Sequence, residues 1–270
     1  MAKLADALSA LTSRGDVHII EAPEAWTQGR TLYGGMTAAL CFESAKRQSL
    51  VEAPLRSAQF TFVGPASGEL SFRADVLRAG RSSTIVSVDC ASGAGMAARA
   101  TFVFGADRSS SVENSVVPPS PLPVADGCPV FIERTGGFHD NFELRLAAGS
   151  ALFSGGAPGF TVWVRFRDAP DVDPTTALLA LGDALPPAAM ARFTAFAPIS
   201  TATWTVDVAN VPSSMDGWHL LHSESDHSAN GYSTQTMRLW SGSGTLLATG
   251  RQLVAIFRLM VSPLSTRCGK

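Results

Sequence analysis

The chain has 270 residues, of which 46% are hydrophobic and 16% are charged, and its formal net charge at pH 7 is −2. This length and composition are typical of a globular protein with a large buried core. A net charge this close to zero argues against a protein that binds nucleic acid or an acidic membrane surface through its overall charge.

The first residues predict a short helix rather than an export signal, because Asp6 interrupts the apolar stretch between Met1 and Asp16. No apolar run approaches the roughly 18 residues that a membrane-spanning helix requires. The four cysteines are far apart and form no CxxC pair: Cys41, Cys90, Cys128 and Cys268. We predict free thiols in a reducing compartment, and Cys268, third from the end, does not form a prenylation box. A soluble, cytoplasmic protein is therefore expected.

The first half predicts one helix followed by four strands. Residues 34–49 carry apolar side chains at helical spacing after the pair Gly34-Gly35. Alternating patterns, separated by turn signals, then predict strands at residues 56–62, 68–77, 83–90 and 96–104.

The middle of the chain predicts an extended linker. Three consecutive serines begin at Ser109, and four prolines follow at positions 118, 119, 121 and 123. We place an N-terminal unit at residues 1–107, the linker at 108–126, a C-terminal unit at 127–258 and a tail at 259–270.

The second half repeats the pattern of the first. Strands are predicted at 142–146 and 160–166, a helix at 174–193 with Asp173 as its N-cap, and four more strands at 199–208, 218–224, 232–240 and 245–257. A helix followed by four strands in each half indicates an internal duplication. An antiparallel sheet wrapped around each helix would bury both, although a plain α+β sandwich fits the periodicity equally well.

Leu32-Tyr33-Gly34-Gly35-Met36, Trp218-His219-Leu220-Leu221 and other segments between about Thr27 and Phe257 resemble motifs of the bacterial acyl-CoA thioesterase II family and occur in the family's order. In the first half, Leu32-Tyr33-Gly34-Gly35-Met36 is similar to the family's Phe-Gly-Gly-Gln helix start, and Leu77-Arg78-Ala79-Gly80-Arg81-Ser82-Ser83 resembles its Leu-Arg-Asp-Gly-Asn-Ser stretch. In the second half, Leu179-Ala180-Leu181-Gly182-Asp183-Ala184-Leu185 followed by Pro187 resembles its Tyr-Ala-Ser-Asp-Leu-x-x-x-Pro helix, and Trp218-His219-Leu220-Leu221 its Trp-Leu-Leu strand. The resemblance implies an α+β double-hotdog fold, in which two fused helix-wrapped antiparallel sheets form a quasi-dimer within one chain.

The resemblance also implies three catalytic residues. The family uses an aspartate, a threonine or serine, and a glutamine, and Asp183, Thr201 and Gln252 stand at these positions. A shift of two residues would select Thr203 as the hydroxyl instead. Because side chains alternate along a strand, Thr201, Thr203 and Thr205 are all expected to face the same side.

These residue types suit the hydrolysis of acyl-CoA thioesters to free acid and coenzyme A. A carboxylate among apolar residues has a raised pKa and becomes a better proton acceptor near neutral pH, so Asp183 would activate a water molecule. The threonine hydroxyl and the Gln252 amide would hold that water and polarise the carbonyl group. The resemblance implies no cofactor other than coenzyme A as part of the substrate. Exposed sheet edges and the apolar composition predict a homo-oligomer of at least two chains.

Three alternatives remain open at this point. Glu43 lies eight residues after Gly35, close to where single-hotdog thioesterases carry a helix carboxylate, but it can equally pair with Lys46 or Arg47 at helical spacing. Thr203-Trp204 replaces the family's Asp-His, which is compatible with a non-catalytic protein that only binds acyl-CoA. An enoyl-CoA hydratase of the same fold is the weakest alternative, because its Asp-His pair would follow the helix, whereas His139-Asp140 precedes it. A serine hydrolase is disfavoured because no GxSxG motif occurs.

Overall fold

The computed structural model describes residues 3–119, 122–134 and 136–257. Cys268 and the predicted tail at 259–270 lie outside the described residues. The three helices are α1 (Leu4–Ser9), α2 (Gly34–Ser49) and α3 (Pro174–Gly182). The strands of the first half are β1 (Thr12–Arg14), β2 (Val17–Glu21), β3 (Thr27–Gln28), β4 (Thr31–Leu32), β5 (Leu55–Phe62), β6 (Glu69–Ala79), β7 (Ser83–Ser92) and β8 (Gly95–Gly105). Those of the second half are β9 (Phe142–Gly149), β10 (Gly159–Phe166), β11 (Ile199–Val208), β12 (His219–Ala229), β13 (Tyr232–Ser241) and β14 (Leu246–Ile256).

Twelve of these strands form one antiparallel sheet that runs through both halves. Its order is β1-β2-β6-β7-β8-β5-β11-β14-β13-β12-β10-β9, and the small pair β3–β4 stands apart. The first six strands and the last six follow the same connectivity in opposite directions, so the predicted duplication is confirmed. The halves meet where β5 pairs with β11, and Phe60 lies directly opposite Trp204 in this pair.

The two long helices lie side by side on the inner face of the sheet. α2 packs on the first half of the sheet and is buried from Gly35 to Ala45 except at Glu43, whereas its last turn is polar and more exposed. α3 packs on the second half and is buried from Thr175 to Gly182. They run antiparallel, and the ammonium group of Lys46 near the end of α2 lies 2.7 Å from the carboxylate of Asp173 before α3. The α+β double-hotdog architecture expected from the sequence is therefore confirmed.

The element boundaries follow local chemistry. Asp173 is the N-cap of α3, as predicted, and its carboxylate accepts hydrogen bonds from the backbone N–H groups of Thr175 (2.9 Å) and Thr176 (3.2 Å). The prediction that this helix extends to residue 193 was wrong. The helix ends at Gly182, because Pro186 and Pro187 have no N–H to donate and cannot continue it.

The start of the chain contains more structure than the sequence predicted. A hairpin of β1 and β2 follows α1, where only a helix was expected. Three cysteines are free, as predicted, and the structure also buries them: Cys41, Cys90 and Cys128. Among the described residues, no helix is long and apolar enough to span a bilayer.

Candidate active site

Asp183 lies where α3 ends. It is the C-cap residue of the helix, with φ −102° and ψ 11°. Its neighbours Gly182 and Ala184 are buried, whereas Asp183 itself is only partly buried. Asp183 therefore lies at the margin of the core.

A chain of hydrogen bonds connects Asp183 to the sheet. The Nε2 atom of Gln252 donates to Asp183 Oδ1 over 2.6 Å, and the Nε2 atom of Gln235 donates to Gln252 Oε1 over 2.7 Å. Gln235 Oε1 in turn accepts from the backbone N–H of Ala188 over 2.8 Å. Since a backbone N–H can only donate, it determines which way the amide of Gln235 points, and Gln235 then determines the orientation of Gln252. The amide of Gln252 is thus held with its N–H groups towards Asp183.

The first half of the chain closes the site from the other side. The backbone N–H of Gly35, in the first turn of α2, donates to the carboxylate of Asp183. A Cβ atom at Gly34 would lie only 2.5 Å from Asp183 Oδ2, and one at Gly35 would lie 2.6 Å from the carbonyl oxygen of Ala180. The hydroxyl of Tyr33 donates to the same carbonyl over 2.9 Å. The Gly-Gly pair therefore permits the close approach of α2 to the end of α3.

The surroundings tune the acidity of Asp183. Burial raises its pKa to about 7, although the hydrogen bonds from Gln252 and Gly35 act in the opposite direction. The positive end of the α2 dipole also favours the carboxylate. A carboxylate with a pKa near neutrality has the properties of a general base towards a water molecule that reaches it.

The structure separates the three threonines of β11. Thr201 is paired with Val254 and Thr203 with Leu253, so one extra residue is inserted at this point and forms a β-bulge. The expectation that Thr201, Thr203 and Thr205 share a face was therefore wrong. Trp204 pairs with Gln252, which places Thr201, Val254 and Gln252 on the inner face, while Thr203 is exposed on the outer face. Of the two candidate hydroxyl groups, only that of Thr201 lies on the same face as Gln252.

Two family models match the chain. The model of the acyl-CoA thioesterase N-terminal domain matches residues 22–105, and that of the acyl-CoA thioesterase C-terminal domain matches residues 115–256. The chain belongs to the acyl-CoA thioesterase family. The protein is therefore a thioesterase, as the resemblance implied. A search of curated proteins finds no significant match in sequence.

Solved structures share the architecture of this thioesterase. A conserved protein of unknown function with a hotdog fold from Alicyclobacillus acidocaldarius is 25% identical, with a TM-score of 0.85 over 96% of this chain and 99% of its own. The tesB protein of Mycobacterium avium subsp. paratuberculosis is 16% identical, with a TM-score of 0.79 over 95% and 100% of the two chains. The acyl-CoA thioesterase II TesB2 of Mycobacterium marinum is 17% identical, with a TM-score of 0.74 over 94% and 97%.

Glu43 is the counterpart of Asp183 in the first half of the thioesterase. It lies ten residues after the N-cap Tyr33 of α2, as Asp183 lies ten residues after the N-cap Asp173 of α3. However, Glu43 accepts a hydrogen bond from the Thr176 hydroxyl (2.5 Å) and lies 3.3 Å from Arg47, so both of its oxygens have partners.

The strands beside the two carboxylates differ as well. Trp204 is followed across the sheet by Gln252 and Gln235, whereas its counterpart Phe60 is followed by Ala100 and Val88. The amide chain that reaches Asp183 thus has no equivalent in the first half. The two halves share a fold, but their inner faces differ at this position.

Sequence reasoning brought together two residues that the structure also joins, Asp183 and Gln252, and it missed Gln235. In the sequence, Gln235 is one polar residue in an alternating strand and has no motif around it. The only available signal was its parity, since Gln235 shares the face of the strand with residues 233 and 237, which are buried in the core.

Proposed function

We propose that this thioesterase hydrolyses acyl-CoA to a free acid and coenzyme A, with Asp183, Thr201 and Gln252 as its catalytic residues. The observation that carries the proposal is the 2.6 Å hydrogen bond between Asp183 and Gln252, which lie 69 positions apart in the sequence. It joins the family's acid and amide positions in one partly buried site. The inward orientation of Thr201 supports its assignment as the hydroxyl group.

In the proposed reaction, Asp183 takes a proton from a water molecule while the water oxygen attacks the carbonyl carbon of the thioester. Gln252 Nε2 carries two hydrogens, and only one of them is used in the bond to Asp183. The other, together with the Thr201 hydroxyl, is available to hold the water and to stabilise the developing oxyanion. The carbon–sulfur bond then breaks, coenzyme A leaves as a thiolate, and Asp183 returns its proton to the thiolate or to solvent.

These steps need only side chains and water. Coenzyme A enters and leaves as part of the substrate and product, so we propose no further cofactor. The first turn of α2 beside Asp183 is a favourable place for developing negative charge, because its backbone N–H groups point towards the site.

The test is the release of free coenzyme A by the variant Asp183→Asn. This change keeps the size of the side chain but removes the proton acceptor, and we expect kcat to fall about 10²–10⁴-fold. Glu43→Gln is the matched control, because it makes the same type of change at the equivalent position of the first half. We expect it to retain kcat within about twofold, with any loss confined to stability.

A thiol-detecting assay over a panel of short, long and aromatic acyl-CoA thioesters separates the alternatives. Thiol release that is lost in Asp183→Asn and kept in Glu43→Gln supports the proposal. Tight binding of acyl-CoA without release of thiol would instead identify a binding protein. Consumption of enoyl-CoA without free thiol would identify a hydratase.

A further inference from the structure

Tyr33 joins the two halves of the chain directly behind Asp183. Its hydroxyl donates a hydrogen bond to the carbonyl oxygen of Ala180 over 2.9 Å, although the two residues lie 147 positions apart in the sequence. The last carbonyl groups of a helix have no partner within the helix, and Ala180 belongs to the last turn of α3. Ala180 is completely buried, so solvent offers no donor in place of the hydroxyl. Tyr33 therefore completes the hydrogen bonding of the turn that carries Asp183.

This hydrogen bond is one of two that fasten the start of α2 to the end of α3. The other runs from the backbone N–H of Gly35 to the carboxylate of Asp183, three residues further along the chain than Ala180. A Cβ atom at Gly35 would lie 2.6 Å from both the Tyr33 hydroxyl and the Ala180 carbonyl oxygen, so the two attachments lie side by side. Two attachments at different points of a helix prevent it from turning about either one, whereas a single attachment does not.

The ring of Tyr33 is itself held in place. It is 1% exposed and stacks on Phe138, with the ring centroids 4.0 Å apart and the ring planes 5° from parallel. Phe142 packs against it edge-on, at a centroid distance of 6.2 Å. The backbone N–H of Tyr33 donates to the carbonyl oxygen of Trp26 over 2.9 Å. Because both the ring and the backbone are fixed, the hydroxyl has one position relative to α3.

The hydroxyl of Tyr33 keeps its proton at neutral pH and well above it. Burial and the nearby charge of Asp183 raise the pKa of Tyr33 well above its ordinary value. The carbonyl oxygen of Ala180 can only accept a hydrogen bond. The bond therefore always runs from Tyr33 to Ala180, and a pH dependence near neutrality does not originate from Tyr33.

The second half has a different residue at the equivalent position. Asp173 is the N-cap there, and its carboxylate binds N–H groups of its own helix and the ammonium group of Lys46. Tyr33 also stands where the similar family motif has phenylalanine, so the hydroxyl belongs to this chain rather than to the motif. The tyrosine is thus found on the side of the molecule where α3 ends at Asp183.

We propose that Tyr33 is a positioning residue, whose hydroxyl holds the last turn of α3 so that Asp183 meets both Gln252 and the Gly35 N–H. The inference rests on the proposed function, because it gives Tyr33 a role in the same site. Without the hydroxyl, the buried carbonyl of Ala180 loses its donor, which is unfavourable, and the last turn becomes free to move away from α2. The hydrogen bonds that Asp183 accepts then lengthen.

The first test is Tyr33→Phe, which keeps the ring and removes only the hydroxyl. We expect kcat to fall about tenfold with KM within about twofold of the wild type. The rise of kcat/KM with pH should move to higher pH, because the two hydrogen bonds that lower the pKa of Asp183 weaken while its burial is unchanged. An unchanged kcat, or a rise that stays in place or moves to lower pH, would overturn the inference.

Two control variants separate positioning from general stability. Tyr232→Phe makes the same chemical change at the only other tyrosine, which is 53% exposed, and should leave kcat and the pH profile unchanged. Val86→Ala leaves a cavity at a fully buried position of β7 and should lower the melting temperature without moving the pH profile. If Val86→Ala moves the pH profile as Tyr33→Phe does, the effect comes from lost stability and the inference fails.

A measurement without turnover distinguishes this inference from the proposed function. The aspartate carboxyl groups are isotope-labelled and titrated by NMR, and the signal of Asp183 is the one that is absent in Asp183→Asn. We expect its midpoint to rise in Tyr33→Phe from the wild-type value of about 7. A rise in a protein that releases no thiol would refute the proposed function and support the role of Tyr33. An unmoved midpoint, in an enzyme whose thiol release depends on Asp183, would refute the role of Tyr33 alone.

Phe138→Leu provides a second test, also in the case that Tyr33→Phe does not fold. It removes the ring that stacks on Tyr33 and leaves the hydroxyl in the chain. We expect the midpoint of Asp183 to move in the same direction as in Tyr33→Phe, by a smaller amount, because the hydroxyl is less firmly held. A midpoint that does not move, or that falls, would contradict the inference.

Discussion

Gly34 is the residue whose lack of a side chain matters most to the site. Its position in the first turn of α2 would place a Cβ atom 2.5 Å from Asp183 Oδ2, so even a methyl group must displace the carboxylate. Such a displacement also lengthens the hydrogen bond from Gln252 to Asp183. It therefore disturbs the geometry on which proton transfer depends.

We therefore expect Gly34→Ala to lower kcat about 10–100-fold while the protein remains folded. Gly93→Ala is the matched control, because nothing lies within 4 Å of a Cβ atom there. Steady-state assays and thermal melts of both variants are the measurement. Full activity in Gly34→Ala would mean that the close approach of α2 to Asp183 is irrelevant to the reaction.

Gln235 is a positioning residue, since it contacts Gln252 rather than the reacting atoms. In Gln235→Met the Oε1 atom of Gln252 loses its N–H donor, and the amide becomes free to rotate, which turns its oxygen towards Asp183 in part of the molecules. We expect kcat to fall about tenfold with little change in KM, and the pKa of Asp183 to rise.

Ser223→Ala is the control for this variant, because Ser223 is equally buried on β12 and its hydroxyl has no partner in the described residues. The measurement is kcat and KM of both variants as a function of pH. If Gln235→Met and Ser223→Ala behave alike, Gln235 only fills space.

At the scale of elements, the bulge in β11 decides which hydroxyl group faces the site. A regular strand would turn Thr201, Thr203 and Thr205 to one side, and the extra residue reverses this for Thr201 alone. We expect Thr201→Val to reduce kcat about 10–100-fold and Thr203→Val to stay within about twofold of the wild type. The comparison uses the same substitution two positions apart on one strand. A larger loss of kcat in Thr203→Val than in Thr201→Val would mean that the catalytic hydroxyl belongs to Thr203 on the outer face of the sheet, which would contradict the assignment of Thr201.

Most elements could be predicted because their causes are local. The α2 helix spans Gly34–Ser49 as its apolar spacing predicts, and the strands of both halves differ from the predicted bounds by a few residues. The overlong prediction for α3 overlooked a local signal, Pro186 and Pro187. The other errors had no such signal in the sequence. The bulge results from pairing with β14, and the β1–β2 hairpin contains a β1 strand that is exposed throughout and gives no alternating pattern.

At the scale of the whole molecule, the candidate site belongs to neither half alone. Asp183, Thr201 and Gln252 come from the second half, while the Gly35 N–H that bonds to Asp183 comes from the first. The duplication was visible in the sequence as a repeated pattern of elements. The joining of the halves through β5 and β11 was not, because the pairing of two strands about 140 residues apart leaves no local signal.

Divergence of the two halves after duplication explains why the amide chain is found beside Asp183 and not beside Glu43. The quasi-equivalent positions of Gln252 and Gln235 are Ala100 and Val88, which cannot donate to a carboxylate. Glu43 is instead held by Thr176 and Arg47 between the two helices. One half thus supplies the reacting side chains, and the other supplies the helix start that closes the site.

The central claim is that a partly buried Asp183 with a pKa near neutrality activates the water, and the pH dependence of kcat/KM tests it most directly. Only the deprotonated carboxylate accepts a proton, so kcat/KM should rise about tenfold per pH unit below the pKa and level off above about pH 7. In Gln252→Met the hydrogen bond that lowers this pKa is lost, so the rise should move to higher pH. A profile that is flat from pH 5 to 9, or a rise that does not move in Gln252→Met, would contradict the account.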